Sequence, residues 1–444
     1  MLESWVWMSA AELGRGIEIG AIDPVALTQH FIAAAEGHEF SDRIFARLTA
    51  DRALSEAQAA KARAEAGQRL GLLDGVPISW KDLFDTANVA TEAGSALLKG
   101  RVPAEDCPVL ARAGKAGLVC LGKTHMSELA FSGLGYNPVT ETPPCINDLN
   151  AVSGGSSSGA AASVAFGLSA AAIGSDTGGS IRVPSAWNDL VGFKTTSGLI
   201  PLEGVVPLAP SFDTVGPLTR TVEDAALITA ILAETEVPDI SPVRLDGLKL
   251  GVLETLAFDD IRAEPLAGFT QAREKLEAAG VSITAFQAPA VPAAMGLADI
   301  VYNCEAYGIW ENTIEAQPDL MFDQVCARFR IGKNFMATEY VRAWRALTCH
   351  RLDWRDASAE LDAVIIPSAP IMPPALDRVA SDEAFYRSEN LLALRNTRIG
   401  NLMGLCAVSM PTGVPSTGMM VMGQAFEEAK LLRICASLEK ALKA

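Results

Sequence analysis

Three short segments hold side chains whose type and setting could break an acyl bond. The first is Gly75-Val76-Pro77-Ile78-Ser79-Trp80-Lys81-Asp82, where Lys81 follows a strand-like apolar run and sits among Ile78, Trp80 and Leu83. A lysine is ordinarily a solvated surface charge. Buried among apolar neighbours, its ammonium is disfavoured by desolvation, and the neutral amine becomes a general base. The second is Ser153-Gly154-Gly155-Ser156-Ser157-Ser158-Gly159, followed directly by the apolar residues 160–166. Gly-Ser tracts are commonly flexible linkers. A linker would not run at once into an apolar helix, so this one is an anchored loop, with capping oxygens and free amides at a helix N-terminus. The third is Gly174-Ser175-Asp176-Thr177-Gly178-Gly179-Ser180-Ile181-Arg182. Its paired glycines allow a tight turn whose successive N–H groups point to one side, a nest suited to an oxyanion. A plain glycine-rich turn would have the same composition.

Chain geometry can join the last two segments. A helix of roughly 11 residues after Ser157 advances about 16 Å at 1.5 Å per residue. Residues 168–174, as a strand, return about 20 Å at ~3.3 Å per residue. The turn ending in Ser180 can therefore lie near Ser156. Two serines and a buried lysine can pass a proton without histidine. That matters because only four histidines are present, His30, His38, His125 and His350, with no close pair among them. Zinc-binding spacing and local histidine motifs are absent for the same reason.

The elements needed to position such groups are legible nearby. Asp23-Pro24 is a helix start, a capping acid before a proline at the first helical position. Residues 48–66 are alanine-rich with interleaved charges and stop at Gly67, as an exposed-face helix should. Asp106 precedes a short helix through Lys115, and Gly117 leads into an apolar strand at 118–121. Strand 248–253, helix 265–279 and strand 281–286 make a βαβ unit. Residues 363–366 before Pro367 read as a buried strand. In segment 427–442, Leu431, Cys435, Leu438 and Leu442 share one helical face. The linker-like stretch is 234–247, rich in Pro and Asp, but strand patterns resume after it without a composition shift. The expected organisation is one α/β unit with an insertion around 290–345.

Composition narrows the class. The 444 residues are 49% hydrophobic and 20% charged, enough to build a core and inconsistent with global disorder. Lys+Arg is 36 against 53 Asp+Glu, a net charge of −17. An acidic surface repels phosphate backbones, so no direct nucleic-acid contact is expected. The cysteines at 107, 120, 145, 304, 326, 349, 406 and 435 are scattered without a Cys-x-x-Cys, as free thiols in a reducing compartment would be. The N-terminus carries no secretory pattern. The longest apolar run, 160–174, is shorter than the ~18 residues a membrane span requires. A cytoplasmic location follows as the expectation, with no membrane partner. Gly117-Leu118-Val119-Cys120-Leu121-Gly122-Lys123-Thr124 matches a phosphate-loop spacing, and a nucleotide-binding protein would use it. Its Leu-Val-Cys-Leu centre is a strand pattern, whereas a phosphate loop needs a turn there.

Taken together, Gly-Val-Pro before Lys81-Asp82, then Gly-Gly-Ser-Ser, then Asp-Thr-Gly-Gly-Ser-Ile-Arg resemble the amidase signature family. Ser180 lies 24 residues after Ser156, itself 75 after Lys81, as in that family's arrangement. The likeness is densest over 73–222 (catalytic core about 70–222). It returns at 361–370, at Asn401-Leu402-Met403-Gly404 with 409–413, and at 418–428. It therefore implies one amidase signature domain over residues 1–444. The implied fold is α/β, a central mixed sheet covered by helices on both faces in three αβα layers. The resemblance further implies a Ser–cis-Ser–Lys triad: Ser180 as nucleophile, Ser156 as the bridging serine on a cis peptide, and Lys81 as the neutral base. The amides of Thr177, Gly178, Gly179 and Ser180 would hold the oxyanion. Asp176 and Arg182 would brace the loop, and Ser157 would bond into the same network. The reaction implied is amide hydrolysis through a seryl acyl-enzyme on a small-molecule substrate, without metal or cofactor.

Departures from the family pattern bear on substrate. Ser158 stands where glycine is usual, and Trp187-Asn188-Asp189 replaces the usual aromatic-Cys-Gly run. The 290–345 segment falls where members vary. There Arg328 could pair with a substrate carboxylate, with Tyr302 beside it. An arginine in an acidic protein is more often in a surface ion pair. The same resemblance admits the ammonia-producing component of the glutamine-dependent tRNA amidotransferase, its A subunit, which serves a partner. The C-terminus is shorter than expected for that component. Members are often homodimers, so a homodimer is admitted too.

Overall fold

The computed structural model describes residues 2–443. Its strands are β1 (Phe45–Leu48), β2 (Pro77–Lys81), β3 (Val119–Thr124), the ribbon pair β4 (Pro144–Cys145) and β5 (Asp148–Val152), β6 (Ala171–Ser175), β7 (Val191–Lys194), β8 (Val215–Thr219), β9 (Lys249–Leu253), β10 (Ser282–Phe286), β11 (Ala363–Pro367), β12 (Cys406–Pro411) and β13 (Gly418–Gly423). All but the ribbon pair form one 11-stranded mixed sheet, ordered β1-β3-β2-β6-β8-β7-β12-β13-β11-β9-β10. The β3-β2-β6 and β11-β9-β10 runs are parallel, and antiparallel pairings join them through the middle.

Side-chain alternation explains why helices cover both faces. Successive strand residues point to opposite sides. On β13, Met420 and Met422 join one apolar cluster, while Met419 and Val421 join another. On β11, Val364 and Ile366 part from Ala363 and Ile365 in the same way. A sheet apolar on both sides needs cover on both sides. Helices Ala263–Ala278 and Glu428–Lys443 supply it on one, through Phe269, Leu276, Leu431 and Leu438. Leu402 and Met403 pack against the other, at the end of helix Glu383–Leu402. The expected α/β layering is therefore observed.

Several local expectations hold in detail. Asp23 caps helix Pro24–Gly37, accepting from the amides of Val25 and Ala26. The expected βαβ unit is β9, helix Ala263–Ala278 and β10, with the two strands parallel. Leu431, Cys435, Leu438 and Leu442 are all buried on the last helix. One boundary shifts. Residues 45–48 pair with β3 as a strand, so the alanine-rich helix begins later, at Ala50–Glu65. The phosphate-loop match is a strand, β3, buried along its whole length. Lys123 Nζ donates to Phe84 O and Thr91 Oγ1, and lies 3.4 Å from Asp82. Its ammonium is engaged inside the protein, and no phosphate-binding turn exists there. Segment 290–345 is almost wholly helical, spanning Ala290–Met295, Ala298–Ala316, Asp323–Arg330 and the start of Ala337–Ala357.

Candidate active site

Lys81 is the last residue of β2, and strand register decides where its amine goes. β2 runs parallel to β6 with Ile78, Ser79 and Trp80 opposite Ala171, Ala172 and Ile173. Lys81 and Ser175 therefore lie together at the carboxyl ends of neighbouring parallel strands, where α/β folds place their ligands. Ile78 and Trp80 enter the large apolar cluster on one face. Ser79 and Lys81 turn to the other, where Ser79 Oγ meets Ser163 Oγ of helix Ser158–Ala165 at 2.8 Å. Lys81 Nζ reaches the start of that helix and donates to Ser156 Oγ at 2.6 Å and to Ser175 Oγ at 2.7 Å. The lysine is fully buried. Burial lowers its pKa to about 7, against the opposing pull of the Asp213 and Asp176 charges. A helix N-terminus also disfavours a cation. A neutral amine is thus accessible near neutral pH, as its apolar sequence setting led one to expect.

The cis peptide expected at Ser156 is not observed: there are no cis peptide bonds among the described residues. Trans is the ordinary form of a non-proline bond. The turn is made instead by Gly154 and Gly155, at φ 86° and 56°. These two glycines pack against the Trp187 ring and Pro184, where a Cβ would not fit. Trans geometry suffices to bring Ser156 Oγ to the lysine.

The second serine turn is joined to the first through its backbone. Ser157 N donates to Ser180 O, and Ser157 Oγ donates to Ser175 O. None of the amides of Thr177, Gly178, Gly179 and Ser180 donates to a protein acceptor among the described residues. Four N–H groups in one turn are thus left without an internal acceptor. Gly179 has φ +141°, and a Cβ there would overlap Thr397 Oγ1. That same hydroxyl holds Gly178 O at 2.8 Å.

Behind the turn lies a saturated ionic network. Arg182 donates to both Asp176 oxygens, at 2.8 and 3.0 Å, to Asn401 Oδ1 and to Thr397 O. Asn401 Nδ2 and the Ile181 amide also reach the Asp176 carboxylate. Burial raises the pKa of Asp176, but Arg182 outweighs it, with Lys194 and Asn401 assisting, and the group settles at about 2. The pair is wholly buried and bonded on both sides. On the other side Thr177 Oγ1 donates to Asp213 Oδ1, and Leu208 N and Ala209 N hold Oδ2.

Ser180 opens onto a small pocket whose walls include Thr177, Gly178, Tyr302, Arg328, Leu394 and Arg398. The pocket thus collects both substrate-facing candidates, Tyr302 and Arg328. Among the described residues Arg328 forms no ion pair; it stacks over the Phe131 ring at 4.3 Å. The Trp187-Asn188-Asp189 run ties the site to its surroundings. Asn188 Nδ2 donates to Ser153 O and Pro184 O, and Asp189 Oδ1 receives the Ser416 amide. Ser158 is buried in the first turn of its helix. Four site residues carry no signal in their sequence setting. Ser175 is one more small residue in a small-residue strand. Asp213 precedes β8 without a recognisable spacing. Thr397 and Arg398 sit in an ordinary amphipathic helix. Asn401 fell inside a family-like segment without an assigned role. Among the described residues no cluster of His, Cys, Asp and Glu is arranged to hold a metal ion.

The family model described as Amidase matches residues 26–432. The chain belongs to the amidase signature family. Among curated amidase-family proteins it is 35% identical to 2-amino-5-chloromuconic acid deaminase of Comamonas testosteroni, over 87% of this chain and 86% of that protein. It is 32% identical to the A subunit of glutamyl-tRNA(Gln) amidotransferase from Anaeromyxobacter dehalogenans (strain 2CP-C), over 97% and 95%. Among solved structures, one described as an amidase superposes with a TM-score of 0.87 at 29% identity, covering 98% of this chain and 99% of that one. The peptide amidase of Stenotrophomonas maltophilia superposes at 0.83 and 25% identity, over 98% and 97%. Family membership makes this amidase-family chain an amide-cleaving hydrolase.

Proposed function

We propose that this enzyme hydrolyses a small-molecule amide through an acyl-enzyme on Ser180, with Ser156 as bridge and Lys81 as base. The observation that carries this reading is the Lys81 amine: fully buried, 2.6 Å from Ser156 Oγ, with its pKa brought down to about 7 by burial. Neutral Lys81 accepts the Ser156 proton as Ser156 takes the Ser180 proton, and Ser180 Oγ bonds to the amide carbon. The carbonyl π electrons move to oxygen, which the amides of Thr177, Gly178, Gly179 and Ser180 receive. The relay then delivers the proton to the leaving nitrogen as the C–N bond breaks, releasing amine or ammonia. Water adds to the acyl carbon by the same relay in reverse, freeing the carboxylate and restoring Ser180. Asp176, Arg182 and Ser157 hold the two turns in register. Ser175, the second acceptor of Lys81, positions the amine.

A second reading, a glutaminase that supplies ammonia to a partner, is supported by the 32% identity to an amidotransferase component. One panel of aliphatic and aryl amides, dicarboxylic mono-amides, ureas and glutamine, scored for ammonia or amine, separates the two. The small-molecule reading expects the chain alone to turn over at least one amide, with Ser180→Ala inactive. Glutamine as sole substrate, accelerated by partner proteins, would favour the second. Turnover that survives Ser180→Ala would overturn both.

A further inference from the structure

Thr177 and Asp213 meet because a strand ladder runs on past its end. β6 and β8 are antiparallel, with Ser175 opposite Val215. Beyond them Asp176 and Thr214 exchange both backbone hydrogen bonds, Asp176 N to Thr214 O at 2.8 Å and Thr214 N to Asp176 O at 3.1 Å. The next opposed pair is therefore Thr177 and Asp213, and it shares a face with Ser175, two residues back. Ser175 Oγ is in turn an acceptor of Lys81 Nζ. One end of the sheet thus collects the lysine, the first residue of the 177–180 turn and Asp213.

Asp213 is buried and uses both oxygens as acceptors. Oδ1 receives Thr177 Oγ1, and Oδ2 receives the amides of Leu208 and Ala209 at 2.9 and 3.1 Å. The two amides can only donate, so the pattern is that of an ionised carboxylate. Asp213 forms no ion pair among the described residues, whereas Arg182 grips Asp176 at both oxygens. Lys81 likewise donates to hydroxyls and to no carboxylate. A buried charge without a contact partner costs stability, and such local violations are retained where function needs them. Of the carboxylates that oppose the effect of burial on Lys81, Asp213 comes first and Asp176 second. Burial raises the pKa of Asp213 itself, against its three donors, and Glu305 on helix Ala298–Ala316 raises it further. Glu305 is held by Tyr340 Oη and the Ser211 amide; Asp176 is held by Arg182, with Lys194 assisting. Asp213 is left as a carboxylate facing the lysine with no cation in contact.

We propose that Asp213 is a positioning residue with two actions: its bond to Thr177 fixes the turn that receives the oxyanion, and its charge supports the ammonium that Lys81 becomes on taking the serine proton. This rests on the hydrolytic reading above. As Ser180 Oγ bonds to the amide carbon, its proton passes to Ser156 and the Ser156 proton to Lys81 Nζ, so a cation and an oxyanion appear together. Asp213 acts on the first through space and on the second through Thr177.

Asp213→Asn removes the charge with little change of shape. Its Oδ1 can keep both amides, and its Nδ2 can donate to Thr177 Oγ1, since a hydroxyl also accepts. A supporting anion raises the pKa of Lys81, so its removal lowers it. On an amide that does not ionise, the rise of kcat/KM should move to lower pH by about one unit, and the plateau should fall. Titration of Lys81 followed by NMR needs no turnover and should move by the same amount. It uses protein isotope-labelled at the lysine ε-carbons, with the resonance assigned by its loss in Lys81→Met. A lower rate at every pH with both midpoints unmoved would mark a structural role and overturn the proposal. A second pair does not depend on Asp213→Asn folding. Thr177→Val keeps the charge and removes the bond, and should lower kcat at least about tenfold, with Thr177→Ser restoring most of it. Full activity in Thr177→Val would overturn the tether. A shifted Lys81 titration in protein that cleaves no amide would overturn the hydrolytic reading and leave the coupling of Asp213 to Lys81 standing. Ser180-dependent turnover with the Lys81 titration unmoved would do the reverse.

Discussion

Lys81 Nζ has two hydroxyl acceptors within 2.7 Å and no carboxylate at hydrogen-bond distance among the described residues. A charged amine there is held only by hydroxyls and by the more distant Asp213 and Asp176 charges, which is why burial prevails. The proposed mechanism needs Lys81 neutral, and its folded pKa is depressed to about 7, so activity is expected to be lost as pH falls through that value. The kcat/KM profile on a substrate that does not ionise is expected to rise with a midpoint near 7 and level off above it. Lys81→Ala should lower kcat/KM by about 10²–10⁴-fold and remove that midpoint, as loss of a general base does. A profile unchanged in the variant would contradict the assignment. Lys81, Ser156 and Ser180 stand out in the sequence as candidates because each sits in a motif whose neighbours are unusual for its type. Ser175 and Arg398 do not, because their meaning comes from strand register and helix docking, which single-residue types do not encode.

At the scale of elements, the site is made where strand ends meet helix starts. β2 and β6 deliver Lys81 and Ser175 side by side, and helix Ser158–Ala165 begins immediately after the Ser156-Ser157 pair. The out-and-back path expected after Ser157 is present, though the helix is eight residues long and stops before Gly167, at φ +73°. The strand accordingly starts later, at Ala171. Such boundaries depend on where a left-handed residue ends the helix, which apolar periodicity does not report. The 176–180 turn has its own requirement, at Gly179. An alanine there would adopt a φ that side chains disfavour and press on Thr397 Oγ1, which anchors Gly178 O. Gly179→Ala is expected to lower kcat/KM by about 10²–10³-fold, the effect of losing one oxyanion donor. A loss of about 1–3 kcal/mol in stability should accompany it, from backbone strain. Kinetics with thermal melts would check both, and an intact kcat/KM would show that the turn tolerates a side chain and does not need its present shape.

Across the whole molecule, one mixed sheet carries the two halves of the site. The strand-and-helix alternation pointed to an α/β fold, and the family motifs to a sheet covered on both faces. The antiparallel centre, β8-β7-β12-β13, was not readable, because its β7-β12 pairing joins strands more than two hundred residues apart. That centre brings residues 394–401 against the 176–182 turn, through Arg182 to Thr397 O and Asn401 to Asp176. The helical cover brings Tyr302 and Arg328 to the same place. The −17 charge bears on solubility and partners and leaves this interior untouched. No helix among the described residues is long and apolar enough to cross a membrane. The account places a single activated hydroxyl in a chain rich in serine, and the intact protein can be asked which one it is. Treatment with a fluorophosphonate at neutral pH, followed by intact-mass and peptide mass spectrometry, should show one adduct, on Ser180, absent in Lys81→Ala. An adduct on another serine, or none on folded enzyme, would contradict it.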